Sequence, residues 1–141
     1  MKKENDIYKK MNNEFNRNKI LLQPIESGIK GIGIPDIFYC TSNCEGWIEL
    51  KYIPKYPIKR NSYIRIPFHP GQMNWINRYR ELNGNIFLMV YIENGLWIFK
   101  DLNIKEHYTE NDLIRSSCYR RLWNGINWEE IYYLLATSKD L

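Results

Sequence analysis

Three ionisable side chains stand where strands should run. In IPDIFYC (residues 34–40) and WIELKYI (47–53), Asp36, Glu49 and Lys51 interrupt β-branched and aromatic residues. Burying a carboxylate or an ammonium is costly unless the charge is paired or bound to a metal, so each of them demands a partner. On a strand, residues two apart point the same way. Glu49 and Lys51 therefore share one face, while Ile48, Leu50 and Tyr52 point to the other. The intervening TSNCEG is turn chemistry, which would fold the Asp36 strand beside the Glu49 strand and bring two carboxylates and an ammonium together. Two hard oxygen ligands on a rigid support suit Mg²⁺, which keeps several waters for substrate phosphates. Such a metal can activate water and stabilise charge in an in-line displacement at phosphorus. A neighbouring lysine can orient or deprotonate the water and offset the developing negative charge. The plainer alternative is a solvated strand face, with Asp36 capping a turn.

The elements that must position these residues can be read on either side. Residues 4–17 have Ile7, Met11 and Phe15 at helical spacing, with Tyr8 beside them and Glu14 next to the stripe. KILLQPIESGIKG is a short apolar run broken by Pro24 and ended by Gly28. Residues 54–71 carry Pro54, Pro57, Pro67 and Pro70, which exclude a helix and predict an extended, semi-rigid loop. GQMNWINRYRELNG then predicts a helix with Gln72, Trp75, Ile76 and Tyr79 on one side and Gly84 as its stop. NIFLMVYIENGLWIFK reads as a hairpin across ENG. TENDLIRSSCYRRL reads as a helix, with Thr109 as N-cap and Asp112 in the place of the usual glutamate. WEEIYYLLATSK is a second amphipathic helix. With no repeat or linker, residues 1–141 form a single mixed α/β domain.

Composition sets the bounds. A chain of 141 residues, 44% hydrophobic and 26% charged, is that of an ordinary one-domain globular protein. No apolar stretch is long enough to span a bilayer. The basic N-terminal segment has no apolar core of a secretory leader, so a cytoplasmic location, that of the host if viral, is the expectation. Cys40, Cys44 and Cys118 are three thiols without a disulfide framework, and with only His69 and His107 far apart they make no zinc set. The net charge of +4 permits an anionic partner without demanding one.

IPD followed across the turn by ELK, both on apolar strands, resembles the motif of the PD-(D/E)XK nuclease superfamily, with Pro35 and Asp36, then Glu49 and Lys51, in the motif positions. A glutamate on a preceding helix, the glycine-rich approach GIGIPD and a glutamine-bearing helix after the second strand, HPGQMNWI, extend the likeness. The arrangement is most similar to small Holliday-junction-resolvase-like and VRR-NUC-like members, many of them encoded by phages. The resemblance implies a restriction-endonuclease-like core, a central mixed sheet flanked by helices, and divalent-metal-dependent cleavage of a phosphodiester bond. In that reading Asp36 and Glu49, with the Leu50 carbonyl, hold Mg²⁺ or Mn²⁺, and Lys51 positions the attacking water. Glu14 would complete the site from the first helix, with Glu26 its competitor in a nearer loop. Gln72 would pack toward the active site and touch the phosphate.

Residues 54–68 follow directly after Lys51 and carry Lys55, Lys59, Arg60 and Arg65, interleaved with Tyr56, Tyr63 and Phe68 and free of acidic residues. Cations neutralise phosphates and aromatics stack on exposed bases, so this loop is the expected grip on DNA. Arg78 and Arg80, and Arg120 with Arg121, could extend it. No sequence-reading module is present, which favours branched or junction DNA over a long recognition sequence. Junction resolution implies a homodimer, for which the apolar C-terminal helix, with Trp123, Trp128, Ile131, Tyr132, Leu134 and Leu135, offers a surface if the core does not use it. The competing expectation is a nuclease-fold protein of a mobile element that binds or regulates without turnover.

Overall fold

The apolar run Ile86–Ile92 organises the molecule, because every residue in it is buried and its side chains alternate between two cores. A strand covered on both faces reads as continuous apolar sequence, as this one does. In the computed structural model, which describes residues 4–25, 33–59 and 62–137, it is β5 of eight strands among those residues. The others are β1 (Ile20–Pro24), β2 (Ile37–Thr41), β3 (Glu45–Ile53), β4 (Ile64–Arg65), β6 (Gly95–Lys100), β7 (His107–Tyr108) and β8 (Tyr119–Leu122). Six of them form one sheet in the order β1-β2-β3-β5-β6-β8. Only the β3–β5 pair is parallel, so the sheet is mixed, as expected.

Four helices flank it: α1 (Glu4–Glu14), α2 (Gln72–Glu81), α3 (Glu110–Ser116) and α4 (Trp128–Ala136). Ile7 and Met11 of α1, with Ile131 and Leu135 of α4, pack on Ile48, Leu50, Phe87 and Met89 on one face. Ile76 of α2 and Leu113 of α3 pack with Leu88, Val90 and Phe99 on the other.

Several local expectations hold for the reasons given. Thr109 and Asp112 close a reciprocal capping box on α3, at 3.0 Å for each bond. The β5–β6 turn is made by Glu93 and Asn94, with Glu93 in the left-handed region at φ 53°. Others change. Residues 20–24 form an edge strand paired with β2, because the extended run finds a ladder that its sequence does not announce. The helix begun at Thr109 stops at Ser116, and Tyr119–Leu122 instead pairs with β6, where edge pairing overrides helical propensity. Gly84 is not in the left-handed conformation that ends α2; Asn83 is, at φ 63°. Gly84 is needed because a Cβ there would lie 2.4 Å from the Tyr79 ring. The 54–71 segment is anchored rather than free: β4 pairs with β7, and Ile64 and Ile66 are core residues. The apolar face of α4 is spent on the core, with Trp128, Ile131 and Leu135 buried and Trp123, Tyr132 and Leu134 packed against them. It is therefore not the free dimer surface that the sequence allowed.

Candidate active site

The hairpin does bring the strand charges together. Ile37 lies opposite Ile48 in the antiparallel β2–β3 ladder, which sets Asp36, just before β2, beside Glu49. Two reciprocal bonds lock them. The Asp36 N–H donates to Glu49 Oε1 at 3.2 Å, and the Leu50 N–H donates to Asp36 Oδ2 at 2.8 Å. Ile48 and Leu50 go to the α1–α4 core, so Glu49 and Lys51 face α2, as the two-residue period requires.

There they are almost sealed, Glu49 at 1% and Lys51 at 2% exposure. Their Oε2 and Nζ atoms are 3.1 Å apart. Gln72, the first residue of α2 and itself buried, bridges the pair. Its Nε2 donates to Glu49 Oε2 at 2.7 Å, and its Oε1 accepts from Lys51 Nζ at 2.8 Å. The same Oε1 accepts from the His69 N–H at 2.7 Å, and a backbone donor there fixes which way the amide is turned. Phe68 lies against the ammonium, 5.4 Å from Nζ to the ring centre. The imidazole of His69 is exposed and contributes only its backbone. His107 is exposed too, beside Tyr63.

Burial, reinforced by the nearby charge of Asp36 and opposed by Lys51, pushes the Glu49 carboxyl up to about 8. Lys51 alone does not offset the burial and the Asp36 charge, so ionised Glu49 would gain from further positive charge. A divalent cation would supply it. The donors fit: Asp36 and Glu49 offer hard oxygens, and the Leu50 carbonyl adds a third. The Trp47 N–H and the Ile53 carbonyl bond on the β5 side of β3, so the alternate residues 48, 50 and 52 turn their amides toward β2. Continuing the register places Pro35 opposite Leu50. Proline has no N–H to offer, which leaves the Leu50 carbonyl free of the ladder beside Asp36. No group of three or more His, Cys, Asp or Glu side chains forms a metal set among the described residues. A cation here would therefore take two carboxylates, this carbonyl and water, which suits Mg²⁺.

Two glycines hold the halves of the site against each other. Gly33 (φ 85°) and Gly71 (φ 89°) are both left-handed, and a Cβ on Gly33 would sit 2.4 Å from the Gly71 carbonyl oxygen and 2.9 Å from Gln72 Cα. The approach to Asp36 thus rests directly on the start of α2. The glycines of GIGIPD and HPGQ were the only sequence signal of this contact, and nothing in the sequence places Phe68 on Lys51.

Glu14 does not join the site. It lies on α1, which covers the face opposite to Glu49, and it is exposed and paired with Lys10 at 3.1 Å. Its competitor Glu26 lies outside the described residues, as does Arg60 of the basic loop. Lys55 and Lys59 are exposed, and Arg65 is exposed but faces Glu106 at 3.8 Å. The loop's freedom from acidic residues is therefore partly offset by a residue from another segment.

No family model and no curated protein sequence matches this chain. The fold does have a solved counterpart: Hjc of Archaeoglobus fulgidus, a Holliday junction resolvase from an archaeal hyperthermophile. The two superpose with a TM-score of 0.54 at 12% identity, over 80% of this chain and 89% of that one. At that identity the likeness is one of fold, and it is the restriction-endonuclease-like fold that the strand motif implied.

Proposed function

We propose that this protein is a divalent-metal-dependent endonuclease that hydrolyses phosphodiester bonds of branched or junction DNA. The observation that carries the reading is the Asp36–Glu49–Lys51–Gln72 cluster, half-buried at Asp36 and buried at the other three, in which two carboxylates and an open carbonyl converge beside an ammonium. A protein that only binds DNA has no need of a buried charged cluster of that cost.

Mg²⁺ or Mn²⁺ held by Asp36, Glu49 and the Leu50 carbonyl would polarise the phosphoryl oxygen and lower the pKa of the attacking water. Lys51 has three donors, of which Glu49 and Gln72 take two. The third is left to orient water or a phosphate oxygen. Gln72 keeps the ammonium aimed and holds Glu49 in place. The N-terminus of α2 has no side-chain cap, and its positive end beside the cluster favours a phosphate. Branched DNA as substrate is supported by the fold shared with a Holliday junction resolvase. Cutting two opposed strands of a junction would require a homodimer.

The test is a panel of linear, flapped and four-way-junction DNA incubated with Mg²⁺, Mn²⁺ or EDTA. The wild type should cut in either metal and not in EDTA, with the junction or flap cut fastest. Asp36→Ala should abolish cutting. Lys51→Met should do the same, and is preferable to Lys51→Ala because it fills the buried space. Binding without cutting in every metal would replace the nuclease with the non-catalytic binding protein.

A further inference from the structure

Arg120 and Arg121 have no part in the cluster above, yet they lie on the same sheet as Lys51. The strand registers join Lys51 to Val90, Val90 to Trp97 and Trp97 to Arg120. Residues so paired share a face, and three neighbour spacings set Arg120 about 14 Å from Lys51. Trp97 and Arg120 are therefore on the active face, at its far edge.

There they make a built surface. The Arg120 guanidinium lies over Trp97, 5.6 Å from the ring centre. The Trp97 Nε1–H donates to the Tyr56 hydroxyl at 2.9 Å, which fixes both rings. Two hollows, of about 380 and 350 Å³, meet at these three residues. Each is large enough for a nucleotide-sized ligand. Arg121 lines the first and Lys59 the second, while Glu93 and Glu110 are the carboxylates in the walls. Glu93 is engaged by the Tyr56 N–H at 3.2 Å. An exposed guanidinium backed by an indole offers a flat cationic platform, the kind on which an unstacked base rests while nearby cations meet its phosphate.

We propose that the Tyr56–Trp97–Arg120 groove is an accessory subsite for an unpaired nucleotide of the DNA strand. This deepens the nuclease reading and rests on it for the identity of the strand; it selects substrates with a single-stranded branch. At a rise of 3.4 Å per nucleotide, about 14 Å is roughly four nucleotides of stacked strand. A flap should thus begin to gain affinity at about three to five nucleotides.

The experiment measures binding in EDTA and cleavage in Mg²⁺ for nicked duplex and for the same duplex with flaps of one to eight thymidines. Arg120→Ala, at an exposed position, should weaken binding of long flaps about ten-fold more than it weakens binding or cleavage of nicked duplex. Arg120→Lys, which keeps the charge but not the plane, should resemble Arg120→Ala. Urea midpoints equal to wild type verify the fold of each variant. Equal weakening on nicked and flapped DNA, rescue by lysine, or no change overturns the subsite while leaving the nuclease intact. If the wild type cuts nothing but still binds an oligothymidine through Arg120, the nuclease reading falls and the subsite stands.

Discussion

The sharpest consequence of the buried cluster is that the metal-free protein should lose stability as pH rises through neutrality. Glu49 has a folded pKa of about 8 against an ordinary 4.5. Between these values the native state holds a proton that the unfolded chain releases. Its stabilising contribution is therefore complete below about 4.5 and lost as pH rises through about 8. At about 1.4 kcal/mol per unit, the interval corresponds to about 5 kcal/mol. That is a large part of the total stability of a typical domain, about 5–15 kcal/mol. Glu49→Gln keeps the shape and removes the titration, so urea unfolding of both proteins in EDTA from pH 5 to pH 9 isolates this one group. The wild type should fall relative to the variant by about 2–5 kcal/mol over that range. Mg²⁺ binds only the ionised carboxylate, so its addition should raise wild-type stability more at pH 8.5 than at pH 5.5, with proton release on binding. A wild-type-minus-variant difference that is flat in pH, or that grows with pH, would refute the reasoning.

Three further perturbations probe the support of the site. Gln72→Leu removes the bridge between buried charges and strips a partner from the His69 N–H; unfolding should show a loss of about 2–4 kcal/mol, and cleavage should drop with it. Gly33→Ala must strain a left-handed residue and push its Cβ into the Gly71 carbonyl; calorimetry should find a destabilisation of more than about 2 kcal/mol. Glu14→Ala removes only an exposed ion pair on the opposite face of the sheet; stability should stay within about 0.5 kcal/mol and cleavage should be unchanged, and a large loss of cleavage would restore Glu14 to the site.

The sequence by itself determined the strand pair and which charged side chains it brings together. A carboxylate on each side of a turn, and a lysine two residues after the second, can only meet if the hairpin forms, and the period of two decides which face they share. The β5–β6 hairpin and the capping box of α3 were legible for the same reason: their signals lie within a few residues of one another. What the tertiary structure decided was everything that depends on layers. Which face α1 covers cannot be read from its apolar stripe, and that alone separates Glu14 from Glu49. Tyr119–Leu122 carries no strand signal strong enough to outweigh a neighbouring helix, and became a strand because β6 presented an open edge. The contact of Gly33 with Gly71, and the row from Lys51 to Trp97 and Arg120, join residues distant in the chain through register and packing, which no local pattern encodes.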